Sequence, residues 1–285
     1  MGSFSVLNNI AGINAQNQLN INNVYLNRTL LRLSSGRRIN SGADDAAGLG
    51  IADSLRANVR AIDQAVRNAN DAISVLQIAD GALQEITNLL TRAFTLAEEA
   101  ATETVDATGR TALDNEFTSI EAEIARIASQ TNFNGVGIFT AAGLNGDLSV
   151  FVGDVSVASA ITVSVDTITT SGSTVTDLGG TDLTTVDLST AADAAAALST
   201  LQSALSGVSS SRAAIGAGMN RLQSAVAVLQ TTSQNTQAAE STIRDANMAE
   251  EVANLTKYQI LAQSGIAALS QANANSQLVL ALLRQ

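Results

Sequence analysis

The sequence predicts a mainly α-helical fold: a long antiparallel coiled-coil rod built from N- and C-terminal segments, with a small β-hairpin region in the middle. Two runs of apolar residues at alternating steps of four and three predict the rod, because a seven-residue period marks helices that pack along their whole length. The 285-residue chain contains no proline, so nothing in the sequence forces these helices to break.

The first run lies in a helix predicted from about residue 44 to residue 103. Its positions are Leu55, Val59, Ile62, Val66, Ala69, Ile73, Leu76, Asp80, Leu83, Thr87, Leu90, Phe94 and Ala97. Two of them, Asp80 and Thr87, are polar. A turn is predicted at 106–109, and the same spacing then continues in a shorter helix expected to return antiparallel to the first. Its stripe is Leu113, Phe117, Ile120, Ile124 and Ile127.

The second run lies far along the chain, so the chain must fold back on itself to pair the two. Its positions are Leu198, Leu201, Leu205, Val208, Arg212, Ile215, Met219, Leu222, Val226 and Leu229. Arg212 is the single polar exception. Thr190 with Asp193 resembles a capping box and predicts the start of this helix.

Two further helices are predicted at 4–34 and 250–283, separated from the long helices by a break at 34–42 on the N-terminal side. Their apolar stripes are incomplete, and the many asparagines of the first lower its helix propensity. Both helices are therefore expected to become ordered on assembly. Between the two long helices, 148–152 and 161–165 alternate apolar and polar residues, which predicts strands in a hairpin.

Composition excludes most chemistry. The chain has no histidine and no cysteine, which removes Ser-His-Asp catalysis, zinc thiolate sites and cysteine nucleophiles. We therefore expect no enzyme activity, no cofactor and no metal site. All 26 acidic residues lie between 44 and 251, which argues against a nucleic-acid partner. No apolar run reaches the ~18 residues of a membrane span, so no membrane partner is expected either.

Three segments resemble bacterial flagellin. They are LNRTLLRLSSGRRINSGADDAAGLGIADSLRANVRAI at 26–62, SQTNFNG at 129–135 and IRDANMAEEVANLTKYQILAQSGIAALSQANANSQLVLALLRQ at 243–285. With the heptads, the resemblance covers roughly 1–140 and 190–285. It implies a structural subunit that polymerises into the bacterial flagellar filament for swimming motility. It also implies secretion by type III export to the extracellular filament, with folding of the terminal helices coupled to assembly.

The resemblance implies three domains. Residues 1–43 and 245–285 would form a helical filament core, 44–140 and 190–244 the helical rod, and 141–189 a short, β-rich, surface-exposed variable region. It places polymerisation on apolar residues of the terminal helices. These are Ile10, Ile13, Leu26, Leu30, Leu33, Leu255, Ile260, Leu269, Leu278 and Leu282.

The partners implied by the resemblance are further copies of the chain, an export chaperone at the C-terminal region, and the filament cap and hook-junction proteins. Some flagellins are also recognised by a host innate immune receptor, and the matching positions here are Arg92, Leu96 and Glu116. Two other functions stay open at this point. One is a hook–filament junction protein, which has similar ends. The other is a secreted adhesin or innate-receptor ligand that acts through the acidic middle.

Overall fold

The computed structural model describes residues 9–140, 143–144, 146–153, 159–171, 174–178 and 180–282, without the side chains of 276 and 278–282. Its helices are α1 (Ile10–Ser35), α2 (Ala46–Ala101), α3 (Ala107–Gln130), α4 (Ala191–Arg244) and α5 (Met248–Leu282). Its strands are β1 (Asn132–Phe133), β2 (Val136–Gly137), β3 (Asp147–Phe151), β4 (Ala160–Ser164), β5 (Thr169–Ser171) and β6 (Thr174–Asp177). The prediction of a mainly α fold with antiparallel hairpins in the middle is confirmed.

The chain forms two compact units. Unit 1 contains 1–57 and 235–285, and unit 2 contains 58–234. Helices α2 and α4 contribute residues to both units. The three-domain division expected from the sequence follows different boundaries and stays a prediction.

Polar side chains start most of the helices. The side chain of Asn9 accepts a hydrogen bond from the Gly12 amide, and that of Asp45 accepts one from the Gly48 amide. The predicted turn at 106–109 is partly wrong, because Asp106 caps α3 and the helix already begins at Ala107. The Asp106 carboxylate accepts a hydrogen bond from the Gly109 amide, which fixes the first turn of this helix.

The buried face of α2 is only half of the predicted stripe. One predicted heptad position is buried throughout unit 2: Ile62, Ala69, Leu76, Leu83, Leu90 and Ala97. Among its predicted companions Val59 is buried, but the others, such as Val66 and Phe94, are half exposed. The second buried position is instead almost entirely alanine: Ala65, Ala72, Ala79, Ile86, Ala93 and Ala100. The core face is therefore rotated toward the alanine side, and it is wider than a two-residue seam.

Helix α4 repeats this correction. The predicted Leu201, Val208, Ile215 and Leu222 are buried, while their predicted companions Leu198, Leu205, Met219, Val226 and Leu229 are only half buried. The position that joins the buried set is occupied by small residues: Ala197, Ala204, Ser211 and Gly218. Small side chains at these positions leave room for the hairpins that pack onto the helix.

The polar exceptions in the two heptad runs face each other. Arg212 Nε on α4 lies 2.8 Å from Asp80 Oδ1 on α2. Further along the same pair, the Ser233 hydroxyl donates to the Asp63 carboxylate at 3.2 Å. Both contacts lie within unit 2 and establish that α2 and α4 run antiparallel. A shift of one heptad would leave both charges of the ion pair without this partner, so the pair favours one register.

The described residues of unit 2 contain three antiparallel hairpins, of which β3–β4 and β5–β6 contribute side chains to its core. In the β3–β4 hairpin, whose strands the alternation predicted, Leu148 pairs with Val163 and Val150 with Ile161. The largely exposed β1–β2 hairpin was not predicted, although its Asn134-Gly135 dipeptide is a strong turn signal. Both turn residues have positive φ, 51° for Asn134 and 80° for Gly135.

One buried carboxylate anchors the β5–β6 hairpin to α3. The Val175 amide donates to Glu121 Oε1 at 2.9 Å. Burial raises the pKa of Glu121, the hydrogen bond from Val175 opposes this rise, and the nearby Asp182 carboxylate adds to it. The carboxyl group of Glu121 therefore keeps its proton to a higher pH in the folded chain than in the unfolded chain.

Glycine at position 218 is required by a close contact. A β-carbon there would meet both γ-carbons of Val163 on β4, one of them at 2.7 Å. We expect Gly218→Ala to lower the free energy of unfolding by roughly 1–2 kcal/mol, because overpacking outweighs the gain in helix propensity. Gly216→Ala is the matched control: no atom lies within 4 Å of its β-carbon, so it should stabilise by roughly 0.5–1 kcal/mol. Denaturant unfolding measures the change in the free energy of unfolding for each variant. Equal changes in the two variants would contradict the close contact between Gly218 and Val163.

Glu121→Gln tests the buried carboxylate. The amide oxygen of glutamine accepts the same hydrogen bond without carrying charge. Because the folded-state pKa is raised, the stability that the protonated carboxyl contributes is present at low pH and is lost as pH rises through that pKa. The variant should therefore gain stability relative to wild type as the pH rises above the ordinary pKa of glutamate, about 4.3, measured by thermal melts. Glu123→Gln, an exposed partner of Arg126, is the control. A pH-independent difference for Glu121→Gln would overturn this assignment.

Candidate assembly surface

Helices α1 and α5 form an antiparallel pair in unit 1. At one end, Asn9 Nδ2 donates to the Ala272 carbonyl at 3.2 Å. At the other end, Arg32 forms an ion pair with Glu251 at 3.3 Å. The backbones approach closely between these ends, since a β-carbon at Gly265 would lie 3.8 Å from Leu19 Cβ.

The seam between α1 and α5 repeats at steps of three and four on both helices. Its members are Gly12, Ala15, Leu19, Asn22, Leu26, Thr29 and Leu33 on α1, and Glu251, Leu255, Tyr258, Ala262, Gly265, Leu269 and Ala272 on α5. This seam was not predicted from the sequence, because more than half of its positions are small or polar. Among the described residues of α1, the fully buried ones are Gly12, Asn22 and Thr29. The pair therefore closes tightly but buries few apolar side chains.

A second apolar face of α1 is uncovered. It consists of Ile10, Ile13, Ile21, Val24 and Leu31, all exposed, with Ile10 at 64%. At 3.6 residues per turn, these residues lie on the side of α1 opposite the seam. We call this set the outward stripe. No residue in the described part of unit 1 covers it, because α5 occupies the other side of the helix.

Helix α5 is also apolar beyond its seam. Its exposed apolar residues, which point in several directions around the helix, are Met248, Val252, Ile260, Leu261 and Ile266. After Glu251, its one charged residue is Lys257. Thirteen of the eighteen large apolar side chains that are exposed in the described part of the chain lie in unit 1. A helix that is apolar on several sides is normally surrounded by other helices.

The predicted polymerisation residues fall into two groups. Ile10, Ile13, Leu30 and Ile260 are exposed. Leu26, Leu33, Leu255 and Leu269 are half buried in the seam. The side chains of Leu278 and Leu282 lie outside the described residues. Ile21, Val24 and Leu31 were not predicted to take this role, although their spacing along α1 is typical of a second apolar face.

The segment 36–45 fastens the end of α1 to the junction between α4 and α5. Gly36 ends α1 in the left-handed conformation, and its carbonyl accepts from the Ala246 amide at 3.0 Å. Arg38 donates to the carbonyls of Ile243 and Arg244. Within this segment, the side chain of Ile39 is buried. These backbone contacts hold both terminal helices at one place within unit 1.

Two charged groups add to this junction. Arg244 lies 3.3 Å from Asp53. Asp44 accepts hydrogen bonds from the amides of Asn40 and Ser41. Burial acts to raise the pKa of Asp44, but these hydrogen bonds and the Arg28 guanidinium lower it overall. The Asp44 carboxylate therefore stays ionised and stabilises the bend that follows α1.

The predicted receptor residues do not share one surface. Arg92 on α2 and Glu116 on α3 are exposed and form an ion pair at 2.7 Å. Leu96 is only 1% exposed and belongs to the core of unit 2. The two charged residues therefore present a paired surface without the leucine, and the receptor contact stays a prediction.

Paired long helices and uncovered apolar helical faces define a helical structural protein that offers contact surfaces. The family model of the bacterial flagellin N-terminal helical region matches residues 6–143, and that of the C-terminal helical region matches 198–283. The chain belongs to the bacterial flagellin family. Members of this family are structural subunits of the flagellar filament, an extracellular appendage for motility.

Individual relatives match along nearly their whole length. A flagellin of Halalkalibacterium halodurans is 37% identical, with 97% of this chain and 98% of that protein covered. A flagellin of Bacillus subtilis is 35% identical with the same coverage, and the flagellar filament 31.3 kDa core protein of Treponema maltophilum is 34% identical, again over 97% and 98%. The crystal structure of a Bacillus cereus flagellin is 29% identical and covers 61% of this chain and 94% of that chain, with a TM-score of 0.49.

None of the helices in the described ranges is long and apolar enough to cross a membrane.

Proposed function

We propose that the chain polymerises with copies of itself through its terminal helices, after type III export, to build the flagellar filament that drives swimming. The observation that carries this proposal is the outward stripe of α1 together with the apolar surface of α5. Burying one such side chain contributes roughly 1.5–3 kcal/mol when it moves from full exposure to full burial. A few of them, half exposed at the start, are enough to offset the loss of freedom on association.

Folding and assembly are coupled in this proposal. Isolated helices are marginal in water, and the seam of α1 and α5 adds few buried apolar atoms. A neighbouring copy that covers the outward stripe supplies the burial that the pair lacks. The predicted residues then have two roles: Leu26, Leu33, Leu255 and Leu269 hold the pair together, and Ile10, Ile13, Leu30 and Ile260 contact other copies.

The charge distribution supports the same arrangement. No acidic residue precedes Asp44 or follows Glu251. Copies packed through 1–43 and 252–285 bring no acidic side chains into contact, and the acidic middle at 141–189 is left for the filament surface. In this proposal the filament-core domain consists of 1–43 and 245–285, and the helical rod domain consists of 44–140 and 190–244. An export chaperone covers the apolar C-terminal helix before assembly, and the filament cap and hook-junction proteins meet the same terminal surfaces.

A hook–filament junction protein is the related alternative. Relatives named flagellar filament core proteins, matched over nearly their full length, support the filament instead.

Serine substitutions on the outward stripe test the proposal. Val24→Ser should raise the critical concentration for polymerisation by about fivefold, since it removes roughly 1 kcal/mol of burial per subunit. Val228→Ser is the matched control: the same change, at a comparably exposed valine of α4 in unit 2. Sedimentation of polymer gives the critical concentration, and electron microscopy shows whether filaments form. An unchanged critical concentration for Val24→Ser, or an equal increase for Val228→Ser, would contradict the proposal.

A further inference from the structure

The chain contains two tyrosines, and the fold stacks them against each other. Tyr25 on α1 and Tyr258 on α5 have ring centroids 5.5 Å apart and planes inclined by 18°. Tyr25 is 43% exposed, so reagents in solution reach its ring. Tyr258 is half buried in the α1–α5 seam, and neither tyrosine belongs to the outward stripe.

We propose that this tyrosine pair is an oxidative cross-linking site, at which a heme peroxidase with hydrogen peroxide joins α1 to α5 covalently. Each phenol loses one electron and one proton and becomes a phenoxyl radical. The two radicals form one carbon–carbon bond between ring carbons ortho to the oxygens. Each of these carbons then releases its proton, and each oxygen regains one. The two electrons and two protons removed overall reduce one hydrogen peroxide to two waters.

The fold favours coupling within one chain. The close helix pair holds the rings together, so the second radical sits at a high effective concentration beside the first. The exposed flank of Tyr25 leaves its ring space to turn until the ortho carbons meet. The link would tie together two helices whose seam buries little apolar surface. It does not require polymerisation, because even a marginally stable α1–α5 pair brings the two rings together each time the helices pair in the soluble chain, and the covalent bond then retains that contact.

The test treats dilute full-length chain with a heme peroxidase and hydrogen peroxide. We expect dityrosine fluorescence in a product of monomer size, lighter by two hydrogen atoms, with the peptides of Tyr25 and Tyr258 joined in mass spectra. Tyr25→Phe keeps the ring but should give no such product. The double variant Val24→Tyr, Tyr25→Phe keeps two tyrosines but moves one about 100° around α1. Its monomeric yield should fall at least about tenfold.

Three results would overturn the proposal. One is dityrosine found only in cross-linked dimers. Another is an equal monomeric yield from the double variant. The third is no dityrosine in the wild-type chain while free tyrosine in the same reaction couples.

Discussion

The close but poorly filled contact between α1 and α5 is the constraint on which the behaviour of unit 1 depends. Gly12, Ala15, Ala262 and Gly265 let the backbones approach, and Asn22 and Thr29 occupy buried positions where leucines would bury more apolar surface. The hydrophobic contribution of such a seam is small, because it scales with the apolar area removed from water. The five large apolar side chains of the outward stripe point the other way, and no residue in the described part of unit 1 covers them.

Unit 2 shows the opposite arrangement. Its helices and hairpins share one continuous hydrophobic core, which runs from Ala69 on α2 to Leu222 on α4. The Asp80–Arg212 ion pair and the Glu121–Val175 hydrogen bond make this packing specific, but they do not substitute for the apolar contacts. Local stability within a chain follows buried apolar contact. The two units therefore differ in what they need: unit 2 is complete within the chain, and unit 1 is not.

Much of this was readable from the sequence, and the failures have physical causes. The helices and the β3–β4 hairpin follow directly from periodicity. The rotation of the α2 core face did not, because alanine gives little signal in a hydrophobic pattern yet occupies buried positions where other elements pack close to the helix. The pairing of Asp80 with Arg212 depends on the register of distant helices, which periodicity does not specify. Helix α1 has two apolar faces, the seam and the outward stripe. Because their residues alternate along the sequence, the pattern resembles one incomplete stripe.

Amide hydrogen exchange, followed by mass spectrometry on the soluble chain and on its filaments, tests the central claim most directly. In the soluble chain, α1 and α5 should exchange many times faster than residues 58–101 of α2 and 191–234 of α4. In the filament, α1 and α5 should become as protected as those core helices. Equal protection of all four helices in the soluble chain would contradict this account, because unit 1 would then be complete without a neighbour.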